Sequence, residues 1–168
     1  EALASERSVV CADTGRHAAQ MLARVREKGV QIGVVVGGGN IMRGRSAEGM
    51  ERNRADHMGM LGTAINALAL EDALERLGVP CVVLSAVEMQ RFCDTYSARA
   101  AKGALDAGKV VIFACGSGCP IFSTDTAAAL RAAEIGADVL LLAKNVDAVY
   151  SDDPKRNGHA SRFSRLSY

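Results

Sequence analysis

A short apolar run rich in β-branched residues, Val30 to Val36, leads directly into Gly37-Gly38-Gly39-Asn40. A run of that length and type is the signature of a strand buried on both faces, and such strands belong to parallel sheets. The pattern repeats along the chain. Cys81 to Leu84, Val110 to Ala114 and Val139 to Leu142 read as three further strands. Between them lie stretches with helical spacing. Asp13 to Lys28 carries an apolar stripe of Ala18, Met21, Leu22 and Val25, and Gly29 stops it. Asp56 to Leu77 is a long helix ended by Gly78 and Pro80, and its small residues Gly59, Gly62, Ala64 and Ala67 predict close packing against another helix. Ser97 to Ala107 is a helix closed by Gly108, and Asp125 to Ile135 is one with Ser123 or Thr124 as its cap. The polar tail from Ser151 onward reads as loop, and the first thirteen residues form no clear element. Strands alternating with helices predict an α/β fold of three layers, a mainly parallel sheet between helices.

Composition agrees with this reading. The chain has 168 residues, enough for one compact α/β domain, and hydrophobic residues are 49% of it. Aromatics are only 4% and tryptophan is absent, so the core must come from Ala, Val, Leu and Ile, which lets layers approach closely. The net charge of +1 gives no global field for nucleic acid or an anionic membrane. No run of 18 apolar residues predicts a membrane span, and the N-terminus lacks the basic start and apolar stretch of a signal peptide. The five cysteines (Cys11, Cys81, Cys93, Cys115, Cys119) are odd in number and lack CxxC spacing, which predicts reduced, buried thiols in cytosol. His17, His57 and His159 are scattered and suggest no metal cluster.

In an open α/β sheet, ligands bind at the carboxyl ends of strands. Two glycine-rich loops leave such ends here. In the first, from Gly37 to Gly44, missing Cβ atoms let backbone N–H groups reach phosphate oxygens, and Arg43 adds a planar charged fork. Taken alone, it reads equally well as a tight turn with a surface arginine. It has neither the GK[ST] of a Walker loop nor a GxGxxG. The second, Gly116 to Asp125, brings hydroxyls and backbone amides to a helix N-terminus, which favours negative charge. An ordinary N-cap with Asp125 in the first turn is the alternative, but a cap alone would not need the glycines, and capping can coexist with ligand binding. A third segment, Ala143 to Pro154, holds Lys144, Tyr150 and Asp153, and its chemistry by itself favours a solvated loop. Asp94 and Tyr96 follow a strand end without an evident partner.

Together, three ordered stretches are more specific than each alone. They are Val-Val-Gly-Gly-Gly-Asn-x-x-Arg-Gly at 35–44, Ala-Asp-His-Met-Gly-Met-Leu at 55–61, and Ser-Thr-Asp-Thr-Ala-Ala at 123–128 leading to Asp-Ala-Val-Tyr-Ser-Asp-Asp-Pro at 147–154. In this order they closely resemble the bacterial uridylate kinases of the amino-acid kinase superfamily, from about Gly29 to Tyr168. The resemblance implies a nucleoside-monophosphate lobe, residues 1–122 here, and the start of an ATP lobe, residues 123–168. It implies transfer of the γ-phosphate of MgATP to UMP, giving UDP and ADP in pyrimidine nucleotide biosynthesis. By position, Gly38 and Gly39 would lie against phosphates and Arg43 would grip them. Asp56 would accept hydrogen bonds from the UMP ribose. The loop of Ser117, Gly118, Cys119, Pro120, Ile121, Phe122, Ser123 and Thr124 would hold UMP. Asp125 would organise the basic groups around the transferred phosphoryl. Lys144, Tyr150 and Asp153 would face ATP. The resemblance further implies Mg²⁺ with the ATP, a cytoplasmic homohexamer, activation by GTP and inhibition by UTP.

The chain departs from the family pattern at several points. The expected first strand with its Leu-Lys-Leu-Ser-Gly run is missing before Glu1, the Phe-Gly-Ile-Asp pattern is missing after Leu3, and the family's C-terminal part is missing after Tyr168. Cys119 stands where asparagine is typical and Ala148 where glycine is usual. A truncated, inactive nucleotide-binding or oligomer-forming module is therefore the alternative expectation. Carbamate and acetylglutamate kinases are disfavoured, because they lack the Asp56-His57-Met58-Gly59-Met60 stretch.

Overall fold

The structure is a computed structural model, and it describes residues 12–42, 49–143 and 148–166. In chain order the elements are α1 (Ala12–Arg26), β1 (Gly33–Val35), α2 (Arg52–Glu75), β2 (Cys81–Ser85), β3 (Asp94–Thr95), α3 (Ala98–Asp106), β4 (Val110–Ala114) and α4 (Thr124–Ile135). The four strands form one sheet in the order β1-β4-β2-β3, parallel throughout.

β4 is the central strand, and its five residues are all buried. Alternation along it divides the core in two. Val110, Ile112 and Ala114 face α1 and α2 and join Ala19, Ala64, Ala67, Leu70, Leu74 and Val83. Val111 and Phe113 face the other way and join Leu84, Ala101 and Leu105, with Ile135 of α4 packed alongside. The core is built almost wholly from aliphatic residues, as the scarcity of aromatics requires, and three layers result.

The crossovers explain where the helices lie. The chain passes from β1 to β2 over α2 on one face, leaving room between them. It then turns back from β3 to β4 over α3 on the opposite face. Reversing direction while keeping right-handed connections forces this change of face. β4 thus fills the gap beside β1, and the loops that leave β1 and β4 become neighbours.

Several expectations need correction. Val139 to Leu142 form no strand, and their side chains are between 43% and 86% exposed. Apolar residues make a strand only when a neighbouring edge accepts their hydrogen bonds. Among the described residues β1 pairs on one side only, with β4, and the chain leaving α4 does not join it. The first strand is also shorter than Val30 to Val36. In α1, Ala18, Ala19, Leu22 and Ala23 face inward while Met21 and Val25 stay exposed, because small Ala19 sits at the centre of the contact. α2 begins four residues earlier than Asp56. Glu51 caps it, accepting from Asn53 N and Arg54 N at 2.9 Å each. Gly59 and Gly62 pack against the loop after β1, whereas Ala64 and Ala67 serve the core shared with α1.

Candidate functional site

The loop after β1 folds back on α2. Ile41 N and Met42 N both donate to the Gly38 carbonyl at 3.0 Å. A Cβ at Gly38 would collide with the Gly59 carbonyl oxygen and lie 2.8 Å from Thr63 N. Packing against the helix thus fully accounts for this glycine. Gly37 differs: a Cβ there would meet only the Thr124 hydroxyl, at 4.0 Å. Gly37 is therefore the residue that faces the second loop. Asn66, 1% exposed, secures the arrangement. Its Nδ2 donates to the Gly37 carbonyl and to Asn40 Oδ1, both at 2.7 Å, and Asn40 Nδ2 donates back at 3.1 Å.

The loop after β4 is tied at two points to the same helix. Cys115 N donates to Thr63 Oγ1 at 2.6 Å, and that hydroxyl donates to the Met60 carbonyl at 2.7 Å. Ile121 N donates to Asp56 Oδ2 at 2.9 Å, and Arg52 Nε donates to the same oxygen at 2.7 Å. Asp56, Thr63 and Asn66 are spaced by seven and three residues, so one face of α2 carries all three anchors. Burial pushes the Asp56 carboxyl up, but Arg52 and the Ile121 N–H outweigh it and hold the group below its ordinary range.

Two non-glycine residues of this loop adopt left-handed backbone, Cys115 at φ 61° and Ile121 at φ 77°. For a β-branched residue such as Ile121 that conformation is strained. Ile121 and Phe122 are 65% and 64% exposed, so the tip of the loop is apolar. Ser117 Oγ and the Cys119 backbone hydrogen-bond each other at 3.3 Å, and the Cys119 side chain is exposed. Pro120 is half-buried. Ser123 is the cap of α4, its Oγ accepting from Thr126 N at 3.1 Å. Thr124 therefore keeps its side chain for the gap opposite Gly37.

The structure brings Gly37, Asp56, the 116–123 loop and Thr124 together, with Gly39 half-buried in the first loop and Asp125 exposed in the first turn of α4. Tyr150 and Asp153 lie further along the chain, beyond α4. Those residues sit in a small hairpin in which Tyr150 bridges Arg162 and Phe163 N donates to the Val149 carbonyl at 2.9 Å. Asp153 accepts from Lys155 N at 2.9 Å within its own turn. Arg43 and Lys144 lie outside the described residues. Sequence reasoning missed Thr63 and Asn66. The signal was there: an asparagine inside the apolar stretch Ala64 to Leu70 needs a buried partner.

The model of the amino acid kinase family matches residues 5–168. Among solved structures, the UMP kinase from Ureaplasma parvum shares 40% identity at a TM-score of 0.88, over 96% of this chain and 70% of that one. The UMP kinase from Bacillus anthracis shares 35% at a TM-score of 0.87, over 96% of this chain and 68% of that one. An isopentenyl phosphate kinase from T. acidophilum, at 21% identity and a TM-score of 0.63, has the same fold. With two glycine loops meeting at the carboxyl ends of adjacent parallel strands, and a family match along nearly its whole length, this chain belongs to the amino acid kinase family.

Proposed function

We propose that this chain is a UMP kinase, transferring the γ-phosphate of MgATP to UMP to yield UDP and ADP. The observation that carries the reading is that the two loops whose motifs match UMP kinases meet in space, with Gly37 facing Thr124. The similarity to two UMP kinases supports the choice of acceptor.

Phosphoryl transfer asks the protein mainly for positioning and charge neutralisation. Backbone N–H groups of Gly37 to Gly39 and of the α4 N-terminus would cradle phosphates, and Arg43 would grip them. The loop from Ser117 to Thr124 would hold uridine and its phosphate. Both hydrogen bonds to Asp56 fall on Oδ2, so among the described residues Oδ1 stays available for a ribose hydroxyl. A deoxyribose would leave that acceptor unpaired, which gives discrimination. The attacking UMP oxygen is already anionic, so no strong base is required.

Mg²⁺ would arrive on ATP. The donors at the mouth of the site are hard oxygens, the Asp125 carboxylate and the Ser123 and Thr124 hydroxyls, which is the class that Mg²⁺ takes. When bound, the ion would neutralise charge on the transferred phosphoryl. Asp125 would align the cationic groups around it, and Lys144, Tyr150 and Asp153 would face ATP. Residues 1–122 would then form the monophosphate lobe and residues 123–168 the start of the ATP lobe. A cytoplasmic homohexamer, activated by GTP and inhibited by UTP, completes the reading on family resemblance. Among the described residues no helix is long and apolar enough to cross a membrane.

A coupled ADP-release assay with UMP, CMP and glutamate analogues tests the proposal. Turnover with UMP alone is expected. Binding of UMP without turnover would instead favour a nucleotide-binding module, and turnover with another acceptor would overturn the assignment.

A further inference from the structure

Tyr96, Arg131 and Glu134 form a polar cluster that the nucleotide reading leaves without a role. Arg131 is 5% exposed. Its Nη1 donates to Glu134 Oε2 at 2.6 Å and its Nη2 to the Gly116 carbonyl at 3.2 Å. Its Cζ lies 3.8 Å from the centroid of the Tyr96 ring. The Tyr96 hydroxyl donates to the same Glu134 oxygen at 2.5 Å, and its ring meets Phe113 edge-on with centroids 5.7 Å apart. Tyr96 N donates to the Ser85 carbonyl at 2.7 Å, which fixes the ring to the end of β2.

A guanidinium is kept buried only when it is paired and hydrogen-bonded. Here a carboxylate, a carbonyl and a ring face divide that task. What the pairing holds is the start of the loop after β4. Gly116 opens that loop, and Ser123, as the cap of α4, closes it. Arg131 stands seven residues along α4 from Thr124, on the same face of the helix. One helix therefore grips both ends of the loop, and the spacing between the Gly116 backbone and the Thr124 hydroxyl is fixed by Arg131.

We infer that Arg131 is a positioning residue for the acceptor nucleotide, with Tyr96 and Glu134 orienting its guanidinium. It touches no substrate and acts through Gly116 and the loop that follows. The inference rests on reading that loop as the UMP site. Lysine cannot replace it, because an ammonium lacks the planar fork that reaches a carboxylate and a carbonyl while stacking on a ring.

The test compares Arg131→Lys and Tyr96→Phe with the wild type, measuring kcat, KM for UMP, KM for ATP and Tm. Arg131→Lys is expected to raise KM for UMP about tenfold, the loss of roughly one charge-assisted hydrogen bond, with KM for ATP unchanged. Tyr96→Phe keeps the stack and loses the hydroxyl, so a smaller rise in KM for UMP alone is expected. A lowered Tm with both KM values unchanged would make the cluster structural only and overturn the inference, as would equal rises in both. If Arg131→Lys does not fold, the Tyr96→Phe split decides. If the wild type binds UMP without turnover, the kinase reading fails separately, and calorimetric UMP affinities of the same variants decide the positioning role. If the wild type binds no UMP, both fall.

Discussion

The loops after β1 and β4 lie side by side, yet they are held in opposite ways. The first is packed: Gly38 is pressed against Gly59 and Thr63, and the Asn66 amide clasps the Gly37 carbonyl from inside the protein. The second is laced. Hydrogen bonds to Thr63 and Asp56 and one from Arg131 hold it at three points, two of its residues are in left-handed backbone, and its tip exposes Ile121 and Phe122. A packed loop can present its amides in one geometry only, which suits phosphate groups common to every nucleotide. A laced loop leaves side chains between its anchors exposed, which suits the part of an acceptor that must be told from its competitors. In this reading α2 is the common reference, since one face of it sets the distance between the two.

Substituting the paired glycines should break the comparison most sharply. Gly38→Ala forces a methyl into the α2 backbone, and we expect it to destabilise the chain by about 3 kcal/mol, measured by urea denaturation. Gly37→Ala, with only Thr124 Oγ1 at 4.0 Å nearby, should leave stability within about 0.5 kcal/mol, in the range of substitutions that meet no packed neighbour. Activity should nonetheless fall, because the methyl enters the gap between the loops. Equal stability losses in the two variants would contradict the division into a packed side and a ligand side.

Asp56→Asn addresses the laced loop. It weakens the acceptor of Ile121 N–H and removes the Arg52 ion pair, so KM for UMP should rise by roughly tenfold, the loss of a hydrogen bond to a charged group, and preference over dUMP should shrink. The pH dependence has a definite sign. The Asp56 pKa lies below its ordinary 3.8 in the folded chain. Its contribution to stability is therefore complete above the ordinary value and is lost as pH falls through the lower folded one. The stability difference between wild type and Asp56→Asn should stay constant from neutrality down to about pH 5 and vanish only in stronger acid.

The smallest effect concerns thiols. Cys119 is exposed at the tip of the laced loop, while burial, then Glu71 and Glu75, push the Cys81 thiol up to about 11. Alkylation at neutral pH followed by mass spectrometry should label Cys119 well before Cys81, and UMP should slow it. Protection by UMP at Cys81 instead would place the acceptor elsewhere.

Much of this was legible beforehand. β4 and β2 were plain because a β-branched run between breakers has few other fates, and Ser97 and Ser123 announced their helices. The meeting of the loops followed from strands that end in glycine. Other features depended on contacts remote in sequence. Val139 to Leu142 have the composition of a strand, but composition does not say whether an edge is there to pair with. Glu51 is not among the residues that usually cap a helix, so the sequence pattern places the start of α2 too late. Packing on α2 requires a glycine at Gly38, and a glycine required by a helix is written the same way as one required by a ligand. Tyr96 and Arg131, 35 residues apart in the sequence, gave no local sign of their stacking.

The most direct test of the central claim is a titration of the isotope-labelled chain with UMP, following the backbone amide resonances of Gly37 and Gly39 in one loop and Gly116 and Gly118 in the other. If both loops serve one nucleotide, all four should shift together and saturate at a single Kd. Shifts confined to one loop, or two distinct affinities, would mean that the loops are neighbours without sharing a ligand.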